Sequence, residues 1–228
     1  MIVTKNGLNK ELNSTVIQLQ EQPALIQYYD IKIKDIVAFG GYDWRVLDVQ
    51  NGKALLLLEL IWDKRKYHIL CEDMTWENCT LRKELNDEFY KTIPKADRSR
   101  IIKSHITSEK NLWYGTDGGI ETHDYVFLLS MEEADNYFGN SRDYVNKQRK
   151  VYNNGLFDAH REGHYLSNIH DVERVTTYNN AISSWWLRSP GYNNRTAIRV
   201  YCGGAVFVCG LFGRSEGGGV RPALWLNL

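Results

Sequence analysis

The residue types that could do chemistry lie in two places, a histidine-rich stretch and a pair of cysteines. His160 and His164 are four residues apart, with Asp158, His170 and Asp171 nearby. Two histidines at that spacing lie on one face of a helix and can share a metal ion. Glycines interrupt the stretch and weaken a helix there. A solvated polar loop is therefore the better interpretation, and we expect no metal site.

Cysteine chemistry is the second option. Seven residues separate Cys71 from Cys79 and six separate Cys202 from Cys209, and neither spacing matches a zinc motif. The second pair lies in a glycine-rich segment and could form a redox or copper site. No neighbouring His or Lys would lower a thiol pKa there. We therefore expect four free thiols in a reducing compartment, with no catalytic residue and no cofactor.

Composition narrows the classes of function. The 228 residues carry 28 basic and 28 acidic side chains, so no net charge attracts nucleic acid. The N-terminal residues lack the charged start and the following apolar run that are typical of a signal peptide. No apolar stretch reaches the roughly 18 residues that a membrane span needs. We expect one large domain that is synthesised in the cytoplasm and does not insert into a membrane.

Hydrophobic patterning predicts an α+β fold. Residues 1–30 are interpreted as an N-terminal arm or strand. Residues 31–69 are rich in β-branched and aromatic types, and residues 50–52 (Gln-Asn-Gly) carry a strong hairpin signal. A buried strand is predicted at 124–130, and short strands separated by glycine turns follow residue 183. These patterns indicate antiparallel strands with two or three helices and long loops.

Several segments have the apolar spacing of a helix. The first spans residues 75–93 and ends at Pro94, because proline cannot continue a helix. Ser130 stands three residues before Glu133, which is the spacing of a capping box, and predicts the start of another helix. Weaker patterns predict short helices at residues 97–106 and 143–155.

The segment from Tyr192 to Gly219 has an unusual composition. It contains no Lys, Gln, Met, Trp or Asp and one acidic residue, Glu216, whereas all 14 lysines lie at or before Lys150. Tyr, Asn, Arg, Phe, Cys and Ser alternate there with small and apolar residues. Tyrosine combines apolar area with a polar tip, which suits a partly exposed binding surface.

Two runs at the ends of this segment resemble a known family. SSWWLRSPG (residues 183–191) and GVRPALWL (residues 219–226) are similar to the C-terminal region of target proteins of diversity-generating retroelements. TWENCTLRKELNDEFY (residues 75–90) and VFLLS (residues 126–130) resemble the same group. The resemblance therefore covers about residues 35–228.

The resemblance implies a C-type-lectin-like fold over residues 31–228, similar to that of formylglycine-generating enzymes, with a variable region at about residues 192–218. In diversified members of the group, codons are mutagenised at template adenines. An AAC or AAT codon treated in this way can encode most residue types, but not Lys, Gln, Glu, Met or Trp. Glu216 departs from this rule and is taken as a fixed position.

The resemblance divides the segment into fixed and variable positions. The fixed positions, which we call the frame residues, are one arginine together with small or apolar types and a proline that suit close packing: Ala197, Val200, Gly204, Val206, Gly210, Gly219, Val220, Arg221 and Pro222. The predicted ligand-contacting residues are Tyr192, Asn193, Asn194, Arg195, Thr196, Ile198, Arg199, Tyr201, Cys202, Gly203, Ala205, Phe207, Val208, Cys209, Leu211, Phe212, Arg214 and Ser215.

The leading hypothesis is a non-enzymatic binding protein that presents a hypervariable surface to a macromolecular ligand, most simply a protein on a cell or phage surface. The alternative is an undiversified lectin-like binding module of a phage or bacterial surface protein. A third option is an oxidase similar to formylglycine-generating enzymes that uses Cys202 and Cys209. Association with a virion is compatible with the first two. No acidic loop predicts a calcium site after residue 185.

Overall fold

The computed structural model describes residues 31–139, 165–167 and 169–228, and the predicted arm (1–30) and helix (143–155) lie outside them. The described residues form an α+β fold of mostly antiparallel sheets and short helices, in agreement with the predicted class. No helix among them is long and apolar enough to cross a membrane.

The first sheet contains the predicted hairpin. Asn51 and Gly52 have positive φ angles of 50° and 72°, as a two-residue hairpin turn of type I′ requires. The strands are β1 (Ile36–Phe39), β2 (Tyr42–Gln50), β3 (Lys53–Leu58), β5 (Ile101–Ile102) and β15 (Ala223–Asn227). They are ordered β1-β2-β3-β15-β5, so the C-terminal strand lies inside the sheet, between β3 and β5.

The second sheet carries the C-terminal segment. Its strands are β4 (Asp63–Lys64), β8 (Tyr165–Leu166), β11 (Trp185–Pro190), β12 (Thr196–Val200), β13 (Val206–Phe212) and β14 (Gly219–Val220). Their order is β4-β14-β11-β12-β13-β8, with β11 and β14 parallel and the other neighbours antiparallel. Two small hairpins also form, β6 (Ser104–Ile106) with β7 (Thr122–Asp124) and β9 (Thr176–Tyr178) with β10 (Ala181–Ser183).

The first predicted helix begins later than its pattern suggests. Cys79 is its N-cap, and the Cys79 sulfur accepts a hydrogen bond from the backbone N–H of Arg82. The helix runs through α1 (Thr80–Glu84), a π-helical turn (Leu85–Phe89) and α2 (Tyr90–Thr92), and it ends before Pro94 as predicted. The remaining helices of the described residues are α3 (Lys95–Arg98), α4 (Met131–Tyr137) and α5 (Asp171–Arg174).

Ser130 forms the predicted capping box of α4. Its hydroxyl accepts from the backbone N–H of Glu133, and the Glu133 carboxylate accepts from the backbone N–H of Ser130. The helix predicted at residues 97–106 is wrong, because only α3 is helical and the chain then forms β5 and β6. Pairing of Ile101 and Ile102 with β15 replaces helical hydrogen bonds there.

The buried strand predicted at residues 124–130 is also wrong in part. Residues 126–129 are buried, but only an isolated bridge from Phe127 to Ala223 pairs this segment with a strand. The side chain of Asn86 takes over part of the pairing, since it accepts from the Val126 N–H and donates to the Val126 carbonyl. The apolar composition of this segment therefore indicates that it is buried, but it does not indicate a paired strand.

Both main sheets contribute to one hydrophobic core. Trp44 of β2 and both Trp185 and Trp186 of β11 are completely buried in it. Ile198 of β12 and Val208 of β13 also have no exposed surface. The hairpin formed by β12 and β13 is therefore anchored along one face, and the side chains of the hairpin strands that reach the surface come from β13.

Candidate ligand-binding face

The two faces of the β12–β13 hairpin have different side chains. Val200 and Val206 lie opposite each other and are completely buried, which defines the core face. Arg199 and Phe207 form the neighbouring pair in register, and side chains of successive residues in a strand point to opposite faces. The second face therefore carries Phe207, which is partly exposed.

Three aromatic rings meet at one end of this second face. Phe207 pairs in register with Tyr165 of β8, and their rings are stacked with centroids 4.9 Å apart. The ring of Tyr201 is 5.4 Å from that of Tyr165 and 5.2 Å from that of Phe207. Partial burial, with a smaller contribution from the hydrogen bond to Tyr201, raises the pKa of Tyr165 to about 12. The Tyr165 hydroxyl group is therefore neutral near pH 7.

A second aromatic group lies at the other end of the hairpin. The Tyr192 ring is 6.3 Å from that of Tyr114 and 6.5 Å from that of Phe212. Tyr192 and Phe212 are 44% and 46% exposed. Cys209 of β13 lies near both groups, because its sulfur is 2.9 Å from the Tyr114 hydroxyl and it is one of the ionisable neighbours that act on Tyr165. We call these six aromatic residues the aromatic face: Tyr114, Tyr165, Tyr192, Tyr201, Phe207 and Phe212.

A buried asparagine holds Tyr114 in place. The Asn111 side-chain amide donates to the carbonyls of Pro190 (2.8 Å) and Val208 (2.9 Å). Its oxygen accepts from the backbone N–H groups of Trp113 (2.9 Å) and Tyr114 (3.2 Å). One side chain therefore connects the loop that carries Tyr114 to both β11 and β13.

Replacement of Asn111 by Ala is expected to lower the free energy of unfolding by about 2–4 kcal/mol, because two carbonyls lose their donor in a site that is 2% exposed. Urea unfolding followed by tryptophan fluorescence measures the change. Asn194→Ala is the matched control, since Asn194 is exposed, and it is expected to stay within about 0.5 kcal/mol of the parent. Equal losses in the two variants would contradict the anchoring role of Asn111.

The loop between β4 and α1 borders the second aromatic group. The backbone N–H of Met74 donates to the Asn194 carbonyl (2.7 Å), and that of His68 donates to the Gly213 carbonyl (3.0 Å). The intervening Ile69 and Leu70 are 60% and 53% exposed. This loop adds exposed apolar area beside the hairpin.

The predicted ligand-contacting residues differ in exposure. The exposed ones are Tyr192, Asn194, Arg195, Cys202, Gly203, Phe212 and Arg214. The partly exposed ones are Asn193, Tyr201, Ala205, Phe207, Leu211 and Ser215. The buried ones are Thr196, Ile198, Arg199, Val208 and Cys209.

Ligand contact is ruled out in this conformation for three of the buried residues. Ile198 and Val208 are completely buried in the core, because strand alternation turns them away from the second face. Thr196 is 2% exposed, and its hydroxyl donates to the Asn193 carbonyl within the turn before β12. The prediction of a contact role for these residues is therefore corrected. Cys209 lies beside Tyr114, and Arg199 keeps 7% of its surface exposed.

The nine frame residues are all buried. Gly204 illustrates why: it has a φ of +89°, and a Cβ there would lie 1.8 Å from the Asp171 carbonyl oxygen. A Cβ on the adjacent Gly203, a predicted variable position, would meet nothing within 4 Å. In this turn a buried frame position therefore stands next to a position with open space for a side chain.

Sequence reasoning missed several members of the site. Tyr114, Tyr165 and the exposed Ile69 and Leu70 come from segments distant in sequence from the hairpin. Their residue types are ordinary for loops and edge strands, so only the fold brings them to this face. Asn111 also gave no local signal, because its partners lie 79 and 97 residues away.

The residues considered for redox or metal chemistry are not assembled into a site among the described residues. None of the four cysteines forms a disulfide. Cys202 is exposed, while burial raises the pKa of the Cys209 thiol, the opposite of what a nucleophilic cysteine needs. The part of the chain that the structure describes contains no group of three or more His, Cys, Asp or Glu side chains able to hold a metal ion.

The histidine-rich stretch is described only at its end. Asp158, His160 and His164 lie outside the described residues. The His170 ring nitrogen Nδ1 lies 3.3 Å from the Glu173 carboxylate, and Asp171 forms an ion pair with Arg174. His170 and Asp171 therefore take part in a local network with Glu173 and Arg174.

Fold and face together define an α+β domain whose C-terminal, glycine-rich hairpin carries a partly exposed aromatic face. The chain belongs to the family described as domain of unknown function DUF6273, whose model matches residues 51–228. No curated protein and no solved structure matches the chain.

Proposed function

We propose that the protein binds a macromolecular ligand through the aromatic face and the exposed residues around it. The observation that carries this proposal is the contrast within one hairpin. The frame residues are buried without exception, whereas thirteen of the eighteen predicted contact residues, all but the five buried ones, reach the surface. Such an arrangement lets side chains at the surface change while the fold persists, as in an antibody paratope.

The chemistry of the face suits a protein ligand. Tyrosine, phenylalanine and arginine supply large contact area or multiple hydrogen bonds, and binding hot spots are enriched in tyrosine and arginine. Contiguous exposed apolar groups on a protein surface commonly belong to interaction sites. The aromatic face and the neighbouring Ile69 and Leu70 form such a surface. Zero net charge argues against a nucleic acid as the ligand.

Two more specific parts of the proposal rest on the resemblance of the sequence to target proteins of diversity-generating retroelements. One is that the α+β domain has a C-type-lectin-like fold. The other is that a retroelement diversifies residues 192–218. The spacing of buried frame residues and surface residues supports the second part, because diversification needs fixed positions that keep the fold intact.

A paired display experiment tests whether the face is replaceable. One library randomises Tyr192, Tyr201, Phe207 and Phe212, and the matched control library randomises four residues of the core face, Ile198, Val200, Val206 and Val208. We expect most members of the first library to resist protease as the parent does. Most members of the control library should be cleaved, because truncation of a buried aliphatic residue costs about 2–5 kcal/mol. Equal protease sensitivity of the two libraries would refute a replaceable face.

Nucleotide sequence next to the gene separates diversification from a fixed binding face. A near-repeat of the coding sequence for residues 192–218 that differs only at adenines, beside a reverse transcriptase gene, is the expected finding. Absence of both would leave an undiversified binding module and would remove the diversification part of the proposal.

A further inference from the structure

Arg199 lies in a row of side chains that crosses the second sheet. It pairs in register with Trp186 on β11 and with Phe207 on β13, and Phe207 pairs with Tyr165 on β8. Directly paired residues share one face of a sheet, so Arg199 stands between a buried tryptophan and the aromatic face. Its guanidinium carbon is 4.7 Å from the centroid of the Trp186 ring.

The hydrogen bonding of Arg199 is incomplete. The guanidinium donates to the Ser184 hydroxyl through Nη2. Its Nε–H is buried and has no hydrogen-bond partner. The side chain stacks on Trp186, which favours a cation, but no carboxylate of the described residues forms an ion pair with it. Burial lowers the pKa of Arg199, against smaller opposing effects of Tyr201 and Cys202.

Arg199 differs from the other buried arginines because it has no carboxylate partner among the described residues. The described residues contain four of them, and the other three each have a carboxylate partner: Arg174 with Asp171, Arg188 with Glu133 and Arg221 with Glu59. In each of these three the Nε–H also donates to a backbone carbonyl, of Gly204, Thr107 and Leu58 respectively. A buried charge is costly unless it is paired.

We propose that Arg199 is the recognition site for a carboxylate group of the ligand. This inference rests on the proposed function, because Arg199 adjoins the aromatic face, and it names the chemistry beside Phe207 of that face. The planar guanidinium can hold a carboxylate through two parallel hydrogen bonds. The ligand would thus supply a counter-ion for Arg199, just as the protein itself does for the other three buried arginines.

A carboxylate fits better than a phosphate because the site has a single positive charge. Tyr201 and Cys202 are the ionisable side chains that act on Arg199, and neither of these residue types can be a cation. A phosphate group carries close to two negative charges near neutral pH. One guanidinium balances a monovalent carboxylate, whereas a phosphate would keep uncompensated charge beside buried aromatic rings. An aspartate or glutamate side chain of a protein ligand has the required group.

The test uses the intact chain and NMR of the arginine Nε–H groups, with sodium acetate as the probe. Buried arginine Nε–H protons exchange slowly enough to be observed, and Arg199→Lys assigns the Arg199 signal by removing it. We expect acetate to shift the Arg199 signal in a saturable manner. The Arg174 and Arg221 signals should stay in place, because their Nε–H groups already have partners. Sodium chloride at the same ionic strength should have no such effect.

Two outcomes would overturn the proposal. No saturable shift of the Arg199 signal with acetate would show that the guanidinium does not bind a carboxylate. A shift with inorganic phosphate but not with acetate would assign the site to a different anion. Neither outcome would contradict the proposed function, whose test is the tolerance of the aromatic face to randomisation.

Discussion

Gly204→Ala is expected to lower the free energy of unfolding by about 3 kcal/mol, the combined order of backbone strain and overpacking. Gly204 has a φ of +89°, which side chains of L-residues rarely adopt, and a Cβ would lie 1.8 Å from the Asp171 carbonyl oxygen. The neighbour is backbone, so it cannot rotate away. The Gly204 carbonyl also accepts a hydrogen bond of 2.7 Å from the fully buried Arg174. Displacement of the turn would therefore weaken a buried arginine as well.

Gly203→Ala is the matched control for this prediction. Gly203 is the preceding residue in the same turn, is exposed, and has open space where a Cβ would stand. We expect its replacement to change the free energy of unfolding by no more than about 0.5 kcal/mol, as for other surface substitutions. Urea denaturation of the two variants beside the parent measures both effects. Similar stability of the two variants would mean that the division into frame and surface positions does not reflect packing.

Local sequence signals predicted local structure well. The hairpin at residues 50–52 and the capping box of Ser130 and Glu133 depend on residues within three positions of each other, so their geometry is encoded in the segment itself. Residues 97–106 have the spacing of a helix, but five of the ten pair with other strands instead. Tertiary pairing overrides weak helix propensity in such short segments.

The candidate site was only partly predictable. The composition of residues 192–218 predicts a contact surface on the β12–β13 hairpin, but composition alone does not distinguish the two faces of a strand. Strand alternation sends half of the side chains of a strand to the other face, which is why Ile198 and Val208 are in the core. Tyr114 and Tyr165 could not be found in this way, because contacts between distant segments bring them to the face.

Arg188→Met is the second change expected to have a large effect. Arg188 is 4% exposed and holds Glu133 through two hydrogen bonds of 2.5 Å and 2.9 Å. It also donates to the carbonyls of Thr107 (3.0 Å) and Leu128 (2.8 Å). Its removal would leave Glu133 without its cation. We expect a loss of about 3 kcal/mol, at the lower end for a broken buried ion pair because the Glu133 side chain is 30% exposed.

The dependence of stability on pH identifies the cause of that loss. In the parent protein, burial alone would raise the pKa of Glu133, but the charge and hydrogen bonds of Arg188, with a hydrogen bond from the Ser130 backbone, bring it below its ordinary value of 4.5. At pH values between the folded and unfolded pKa of Glu133, the unfolded chain therefore binds more protons than the folded protein does. The contribution of Glu133 is therefore fully present above about pH 4.5 and is lost as the pH falls through the folded pKa.

Arg188→Met should reverse this dependence. Without the cation, burial dominates and places the pKa of Glu133 above 4.5, so the folded state binds the extra proton and the variant loses stability as the pH rises through this range. Arg188→Met with Glu133→Gln is the control, because it has no carboxyl group to titrate and should recover part of the stability at pH 7. Unfolding free energies of the parent and both variants from about pH 3.5 to 7 give the three slopes. If the parent and Arg188→Met have the same slope, Glu133 does not depend on Arg188, and the Ser130 cap alone accounts for its low pKa.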